Sequence, residues 1–296
     1  MSEPPSIQVA IVTLDDGTLG LCDHVQVPTL EEDMIIVKNH VVALNPIDTK
    51  MVGKLATPGA IAGMDFAGEV ISIGSNVQTA TPIKPGGRVC GAVPGMHALT
   101  PAVGGFAQYV GAADLTTLKI PEHMSLEEAV TLGSGIGTIG LALFKSLDVP
   151  GSPKSPAATP MDVLVYGGST ATGTLAIQLL KLSGFNPITT CSPKNFELVR
   201  SFGATQVFDY HQDTVTDDIR VYTRKSLKNV LDCYTALEPY PDFLHTRPQT
   251  IQDLLDDGQL KSHPHEIIGD DLGGILQGLA MLKEKRVSGK KLVCRV

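Results

Sequence analysis

The chain has 296 residues, a length that favours two domains, and a formal net charge of −8. Hydrophobic residues make up 43% of it and charged residues 18%, the composition of a folded globular protein. An acidic chain lacks the basic face that binds phosphate backbones, and its longest apolar runs fall short of the ~20 residues of a membrane span. We therefore expect no nucleic-acid partner and no membrane crossing. Because the first residues lack a secretory layout, we expect a cytoplasmic protein.

The five cysteines are far apart in sequence, and none forms a CxxC pair or lies beside a histidine at metal-ligand spacing. We interpret them as reduced, mostly buried thiols, because free cysteine packs readily in protein cores.

The first 118 residues alternate short β-type runs with glycine and proline turns, at 7–14, 34–44, 69–73, 88–92 and 105–110. This pattern predicts a compact, barrel-like β domain. Ser125 and Glu128 then form a capping box, which predicts a helix start before the glycine-rich helical stretch 133–145. Residues 149–160 are rich in proline and serine without apolar periodicity, which indicates an exposed linker.

The second half alternates predicted strands with predicted helices. The strands are expected at 163–166, 187–191, 206–209 and 229–234, and helices at 172–183 and 195–202. Helical connections of this length allow successive strands to run parallel, so the pattern predicts a doubly wound parallel sheet.

A glycine-rich turn joins the first of these strands to the first helix. Its glycines permit a sharp turn, and hydroxyl groups and helix amides are available to bind a pyrophosphate. The turn departs from a strict GxGxxG, and such turns also serve packing alone. The candidate cofactor-binding residues are Gly167, Gly168, Ser169, Thr170, Ala171 and Thr172.

The second strand of the sheet ends in TCSPKN, without the carboxylate that grips the ribose of NAD. Ser192, Lys194 and Asn195 offer donors there, which suits a 2′-phosphate and predicts NADPH. One charge-assisted hydrogen bond contributes roughly 1.5–3 kcal/mol, about ten- to hundredfold in cofactor preference. The alternative is that Lys194 is an ordinary solvent-exposed lysine that does not contact the cofactor. Tyr210, after the third strand, is expected to flank the adenine or to cap the sheet edge.

Several motifs occur together in order: ALNPIDTKM at 43–51, GMDFAGEVISIGSNV at 63–77, PGGRVCG at 85–91, GGFAQYV at 104–110, SGIGTIGLAL at 134–143 and VYGGSTATGT at 165–174. This set resembles the quinone-reductase-like branch of the medium-chain dehydrogenase/reductases, and within it the trans-acting enoyl reductases of fungal polyketide synthases. The resemblance implies an α/β fold with a GroES-like β-barrel-type domain at 1–148, to which 286–296 return, a linker at 149–160 and a Rossmann NADPH-binding domain at 161–285.

The resemblance also implies a chemistry. Zinc-dependent members have cysteine and histidine where this chain has Pro46 or Ile47 and Met64, so a zinc-free enzyme is expected. The implied reaction is NADPH-dependent reduction of an α,β-unsaturated thioester carried by a polyketide synthase or its acyl carrier domain. A quinone oxidoreductase and a catalytically impaired module that binds NADPH or the synthase are the alternatives. We expect a monomer.

The resemblance assigns site residues as well. Lys50 is expected to stabilise or protonate the enolate, and Thr138 to lie near the nicotinamide. Asp48 and Thr49 are expected to face the cofactor. The alternative for Lys50 is an ordinary surface lysine. The alternative for the Thr138 stretch is helix packing without a ligand. The acyl channel is expected to be lined by Ile139, Gly140, Leu141, Ala142, Leu143, Phe144 and Lys145.

The resemblance weakens after Tyr234. A complete fold of this kind has six parallel strands, and the sequence supplies about four by that residue, so the Rossmann domain is predicted to be incomplete. The remainder holds helix-like stretches at 251–260 and 270–285 and a last strand at 291–295 that should rejoin the first domain. Three explanations for the missing strands remain open: omission of an internal segment, a degenerate paralogue, or a reorganised sheet.

Overall fold

The computed structural model describes residues 4–79, 81–234 and 248–296. The strands are β1 Ile7–Thr13, β2 Leu19–Gln26, β3 Met34–Ala43, β4 Asp65–Ile73, β5 Arg88–Ala92, β6 Tyr109–Ala113, β7 Thr117–Lys119, β8 Asp162–Tyr166, β9 Asn186–Cys191, β10 Gln206–Asp209, β11 Asn229–Asp232, β12 His265–Ile267 and β13 Lys291–Arg295. The helices are α1 Leu126–Ala129, α2 Gly133–Leu141, α3 Ala171–Leu182, α4 Phe196–Ser201, α5 Val215–Tyr222, α6 Pro248–Asp256 and α7 Gly273–Lys283.

The first domain is built around β3, the longest strand. It pairs antiparallel with β4, β6 and β13 along different parts of its length, in a sheet ordered β12-β13-β3-β4-β5-β7. One face buries an apolar core that includes Ile35, Val37 and Phe66. The predicted barrel-like β domain is confirmed, although the strand expected at 105–110 begins later, at Tyr109. The sequence pattern did not reveal β2, in which half of the residues are exposed and none is buried.

The second domain contains a four-stranded parallel sheet ordered β10-β9-β8-β11. This is the strand order of the first part of a doubly wound nucleotide-binding sheet, in which the first strand is central and the chain winds outward on both sides. The predicted four strands are therefore confirmed, and β11 is an edge strand among those described. The segment after Tyr234 in which further strands were expected to be missing, 235–247, lies outside the described residues.

The helical stretch 126–146 joins the two domains. The predicted capping box forms, since Glu128 N donates to Ser125 Oγ at 3.2 Å and Ser125 N donates to Glu128 Oε2 at 2.8 Å. After α2, a π-helical turn at Ala142–Ser146 completes the stretch. Its apolar side chains share one core with those of α3. Leu126–Ser146 is long and apolar enough to cross a membrane, but 56% of that window is buried inside the protein, as in a core helix.

The C-terminal segment packs against the first domain. β13 pairs antiparallel with β3, and β12 lies parallel beside β13. Leu272, Ile275 and Leu279, from α7 and its start, pack with Val42 and Leu44. β12 and α7 thus contact the first domain although they lie within the predicted Rossmann bounds 161–285, and those domain bounds stay a prediction.

Candidate active site

A buried polar cluster lies where β3, β4, β13 and α2 meet. Asp65, the first residue of β4, is fully buried. Its Oδ2 accepts from Lys291 Nζ at 2.6 Å and from Asn45 Nδ2 at 2.8 Å, and its Oδ1 accepts from Ser134 N at 2.6 Å. Lys291 is itself almost wholly buried. One carboxylate therefore holds together the end of β3, the start of α2 and the C-terminal strand.

Asp48 lies beside this cluster, in the 3-10 turn Pro46–Thr49. Its Oδ2 accepts from Asn45 N at 2.7 Å, while its Oδ1 is buried and has no hydrogen-bond partner among the described residues. Burial raises the pKa of Asp48 to about 7, the Asp65 charge adds to that effect, and the Asn45 N–H partly opposes it. Burial therefore favours the protonated form of this carboxyl group over what an exposed aspartate would show.

The two expected catalytic residues are anchored to the same cluster. Lys50 is exposed and caps the turn that contains Asp48, where Thr49 Oγ1 donates to Pro46 O at 2.8 Å. Thr138, also exposed, donates from Oγ1 to Ser134 O at 2.8 Å, and the amide of Ser134 contacts Asp65. Their catalytic roles, and the cofactor contacts of Asp48 and Thr49, stay predictions.

An apolar cavity of about 370 Å³ adjoins the start of α2. The helix contributes Gly133, Ser134, Ile136 and Gly137 to its wall, and none of the residues 139–145. Residues 139–145 therefore do not line this cavity, and their role in an acyl channel stays a prediction. Ile139 and Leu143 are 1% and 0% exposed and pack in the core with α3. Successive side chains of a helix point in different directions, so a cavity on one side of the helix is lined by only some of them.

The other members of that stretch lie around the helix in different surroundings. Gly140 and Leu141 are buried, Ala142 and Phe144 are half-buried against the core, and Lys145 is exposed.

The predicted glycine-rich turn connects β8 to α3. Gly167 has a φ of +81°, and a Cβ on Gly168 would lie 1.9 Å from Thr189 Oγ1, so glycine is required at both positions. Thr170 is the N-cap: its Oγ1 accepts from Gly173 N at 2.9 Å and donates to Gly167 O at 2.8 Å. The cap therefore engages the Thr170 hydroxyl, whereas the half-buried Ser169, Ala171 and Thr172 border the N-terminus of α3, a suitable site for an anion.

The residues predicted to select the cofactor lie at the carboxyl ends of β9 and β10. Ser192 Oγ and Tyr210 OH are 3.0 Å apart, and Lys194 is exposed. The structure thus brings Ser192 and Tyr210 together. Asn195 differs, because it is buried and its Nδ2 donates to Ser288 Oγ at 3.2 Å, which fastens the C-terminal segment. Asn195 therefore has a structural role in this contact, and its predicted contact with the cofactor stays a prediction.

Four polar residues of this region were not assigned a role from the sequence: Asn45, Asp65, Lys291 and His263. Asn45 lies in the NPID motif, and Asp65 in GMDF, so their motifs were visible but their partnership was not. Asp65 and Lys291 are 226 residues apart in the chain. His263 is buried, with Nδ1 2.9 Å from Thr174 Oγ1, and burial lowers its pKa to about 3, so its imidazole is neutral and joins α3 to the C-terminal segment.

The expected zinc-ligand positions have separate surroundings. Pro46 is exposed, Ile47 is half-buried, and Met64 lines the apolar cavity. Across residues 4–79, 81–234 and 248–296, no three His, Cys, Asp or Glu side chains come together as metal ligands. The zinc-free character stays a prediction that elemental analysis tests.

Comparison with known proteins places this geometry in a family. Residues 31–122 match the alcohol dehydrogenase GroES-like domain. The chain is 53% identical to trans-enoyl reductase FSL5 of Gibberella zeae, over 99% of this chain and 98% of that protein, and 42% identical to a trans-enoyl reductase of Gibberella fujikuroi, over 97% and 98%. The chain belongs to the trans-enoyl reductases. An alcohol dehydrogenase superfamily protein from Novosphingobium aromaticivorans shares the fold, with a TM-score of 0.74 and 18% identity over 98% of this chain and 99% of that one.

Family membership confirms the predicted function as an oxidoreductase of the enoyl reductase type in fungal secondary metabolism. The aligned length with the Gibberella zeae enzyme is 352 positions, although the chain has only 296 residues. Several dozen positions of that relative therefore have no counterpart here, which agrees with the predicted loss of an internal segment.

Medium-chain enoyl reductases use a nicotinamide cofactor, and the second domain of this enzyme fits one. The turn at Gly167 and Gly168 is too narrow for side chains, the 12-residue helix α3 begins directly after it, and Ser192 and Tyr210 lie at the adjoining strand ends. The first helical amides would face the pyrophosphate.

We predict that Lys291→Ala destabilises the enzyme by about 3–5 kcal/mol, because it leaves the Asp65 carboxylate buried without its cation. Arg286→Ala is the control: Arg286 and its partner Glu284 are both exposed, so its loss should cost under about 1 kcal/mol. Urea unfolding followed by circular dichroism measures both. Equal, small losses for the two variants would contradict the assigned role of Lys291.

We predict that Asp48→Asn removes a pH dependence of stability. The folded-state pKa of about 7 exceeds the ordinary value of 3.8, so the folded protein binds more protons between these values, and stability falls as pH rises through that window. The wild-type protein should lose about 1.4 kcal/mol per pH unit relative to the variant. Parallel stability curves of the two proteins across this range would show that Asp48 is not the titrating group.

Proposed function

We propose that the enzyme uses NADPH to reduce α,β-unsaturated thioesters carried by the acyl carrier domain of a partner polyketide synthase. The observation that carries the proposal is the double anchoring on Asp65. Its Oδ2 holds Asn45, at the start of the turn that ends with Lys50, and its Oδ1 holds Ser134, which accepts from Thr138. The turn that ends with Lys50 and the helix that carries Thr138 are thus both tied to Asp65.

The bound cofactor would supply a hydride to the β-carbon of the substrate. The enolate that results carries its charge on the thioester oxygen, where the Lys50 ammonium group would stabilise it. Protonation at the α-carbon then completes the reduction, with Lys50 as the proposed donor. The exposed Thr138 hydroxyl would accept a hydrogen bond at the nicotinamide. We propose that the enzyme acts in the cytoplasm as a monomer.

NADPH is proposed over NADH because Ser192, Tyr210 and the exposed Lys194 cluster at the carboxyl ends of β9 and β10. A hydroxyl pair and an ammonium group match the acceptor oxygens of a 2′-phosphate. Within the motif TCSPKN that follows β9, no carboxylate competes for that position.

A second candidate, a catalytically impaired module that binds NADPH or the synthase, is favoured by the shortened chain relative to the Gibberella zeae enzyme. The glycine turn and the phosphate-binding residues all precede Tyr234, so dinucleotide affinity is expected to persist. Orientation of reacting atoms contributes roughly 7–11 kcal/mol to catalysis. Loss of a wall of the site should therefore reduce turnover far more than binding.

We predict that the chain binds NADPH and reduces an enoyl group on an acyl carrier domain slowly, and that inserting the segment of a longer relative after Tyr234 raises turnover by orders of magnitude. Oxidation of NADPH and mass spectrometry of the carrier measure the reaction.

In whichever of the two proteins, with or without the inserted segment, is more active, Lys50→Gln should lower kcat at least tenfold without changing stability, because Lys50 is exposed. Equal, rapid turnover with and without the insertion would show that the segment is dispensable. No reduction in either protein would overturn the proposed function.

We predict that Lys194→Ala lowers the preference for NADPH over NADH about ten- to hundredfold by removing a charge-assisted contact. Lys228→Ala is the matched control, because this exposed lysine precedes β11 at the opposite end of the parallel strands. Dissociation constants for both cofactors, measured by nucleotide fluorescence, report the effect. Equal affinities of the unmutated protein for NADPH and NADH would refute the proposed 2′-phosphate site.

A further inference from the structure

The apolar cavity beside α2 has no role in the chemistry so far described. Its volume of about 370 Å³ falls within the ~300–1,000 Å³ of small-molecule pockets. Its inner wall includes Met64, Val93 and Ile136, and its outer part includes Met34 and Leu118. Flexible methionine side chains at both ends let such a wall adapt to ligands of different shape.

The inner end of the cavity lies at the anchored cluster. Met64 directly precedes Asp65, Ser134 donates its amide to Asp65, and Gly137 directly precedes Thr138. Val93 and Ser134 are buried here. Thr138 itself does not line the cavity, but its hydroxyl donates to Ser134 O at 2.8 Å and Ser134 does line it. The hydroxyl of Thr138 is therefore one hydrogen bond away from the cavity wall.

The cavity opens to solvent at a rim of different character. Glu31 and Asp33 are exposed there, and Leu115 is 50% exposed. Among the residues that line the cavity there is no lysine, arginine or histidine. A negatively charged group at this rim would face two carboxylates without a compensating cation, so the rim disfavours anionic ligands.

We propose that this cavity is the binding site for the acyl tail of the substrate, and that it selects uncharged hydrocarbon tails. The thioester end would lie at Met64 and Ser134, and the tail would run along Val103 and Leu118 toward Leu115. The inference rests on the proposed function, because it assigns the tail of the same thioester substrate. Each methylene that enters the cavity should tighten binding about fourfold, the equivalent of ~0.8 kcal/mol.

The chain contains no tryptophan, so one introduced indole gives an unambiguous fluorescence signal. Leu115→Trp places it at the rim, and Val221→Trp on α5, at a residue that is 77% exposed and remote from the cavity, is the matched control. Acyl-pantetheine thioesters from butanoyl to dodecanoyl are titrated into each protein. An ω-carboxyacyl thioester of the same length as a well-bound tail tests the acidic rim.

We expect the Leu115→Trp emission to respond to acyl thioesters, with Kd falling about fourfold per methylene until the cavity is filled, and the ω-carboxylate to bind at least tenfold more weakly. The Val221→Trp emission should not change. Val103→Phe, which narrows the wall, should lower the chain length at which affinity stops rising, while NADPH affinity stays constant. Should that variant fail to fold, the titration of Leu115→Trp decides by itself.

Affinity independent of chain length, or an ω-carboxylate that binds as tightly as the neutral tail, would overturn the cavity assignment. These outcomes are separable from failure of the proposed reaction. If affinity rises with chain length but enoyl carriers are not reduced even with the inserted segment, the cavity stands and the reaction falls. If reduction occurs but neither its rate nor the substrate affinity depends on the tail, the proposed reaction is supported and the assignment of the cavity is contradicted.

Discussion

The buried carboxylate of Asp65 is the constraint on which the architecture of the site depends. A charge removed from water is tolerated only when it is paired and its oxygens are hydrogen-bonded. Asp65 meets this requirement with an ammonium, a side-chain amide and a backbone amide from three distant segments. Any rearrangement of β13, of the turn after β3 or of α2 would remove a partner from this buried carboxylate and so cost free energy. The positions of Lys50 and Thr138 follow from that requirement.

The cluster also has an unequal balance of charge. Two buried carboxyl groups, Asp48 and Asp65, share the vicinity of one cation, Lys291. Asp65 holds the direct contacts, and burial leaves Asp48 as the group that takes up a proton near neutral pH. Burial and the neighbouring Asp65 charge both raise the pKa of Asp48, which favours a lower net charge at the site.

The shortened second domain has a structural cost at its edge. β11 ends the described parallel sheet, and Val230 and Tyr234 beside it are 48% and 64% exposed. An uncovered edge strand can pair with another chain, so the proposed monomer requires that β11 stays unpaired with other copies. Of the described helices that follow β11, both α6 and α7 contact the first domain. Gln252 of α6 exchanges hydrogen bonds with the backbone of Lys119 in β7, and α7 packs on the first domain.

The sequence by itself determined the elements whose information is local: the Ser125 capping box, the strand and helix alternation after residue 162, the glycine turn at Gly167 and the motifs that carry the family resemblance. Contacts between distant segments required the tertiary structure. Asp65 and Lys291 could not be paired from the sequence, because no local pattern links residues 226 positions apart. Nor could the sequence show that Ile139 and Leu143 face the core while Ser134 and Gly137 face the cavity, because both faces of α2 are apolar and only packing against α3 chooses between them.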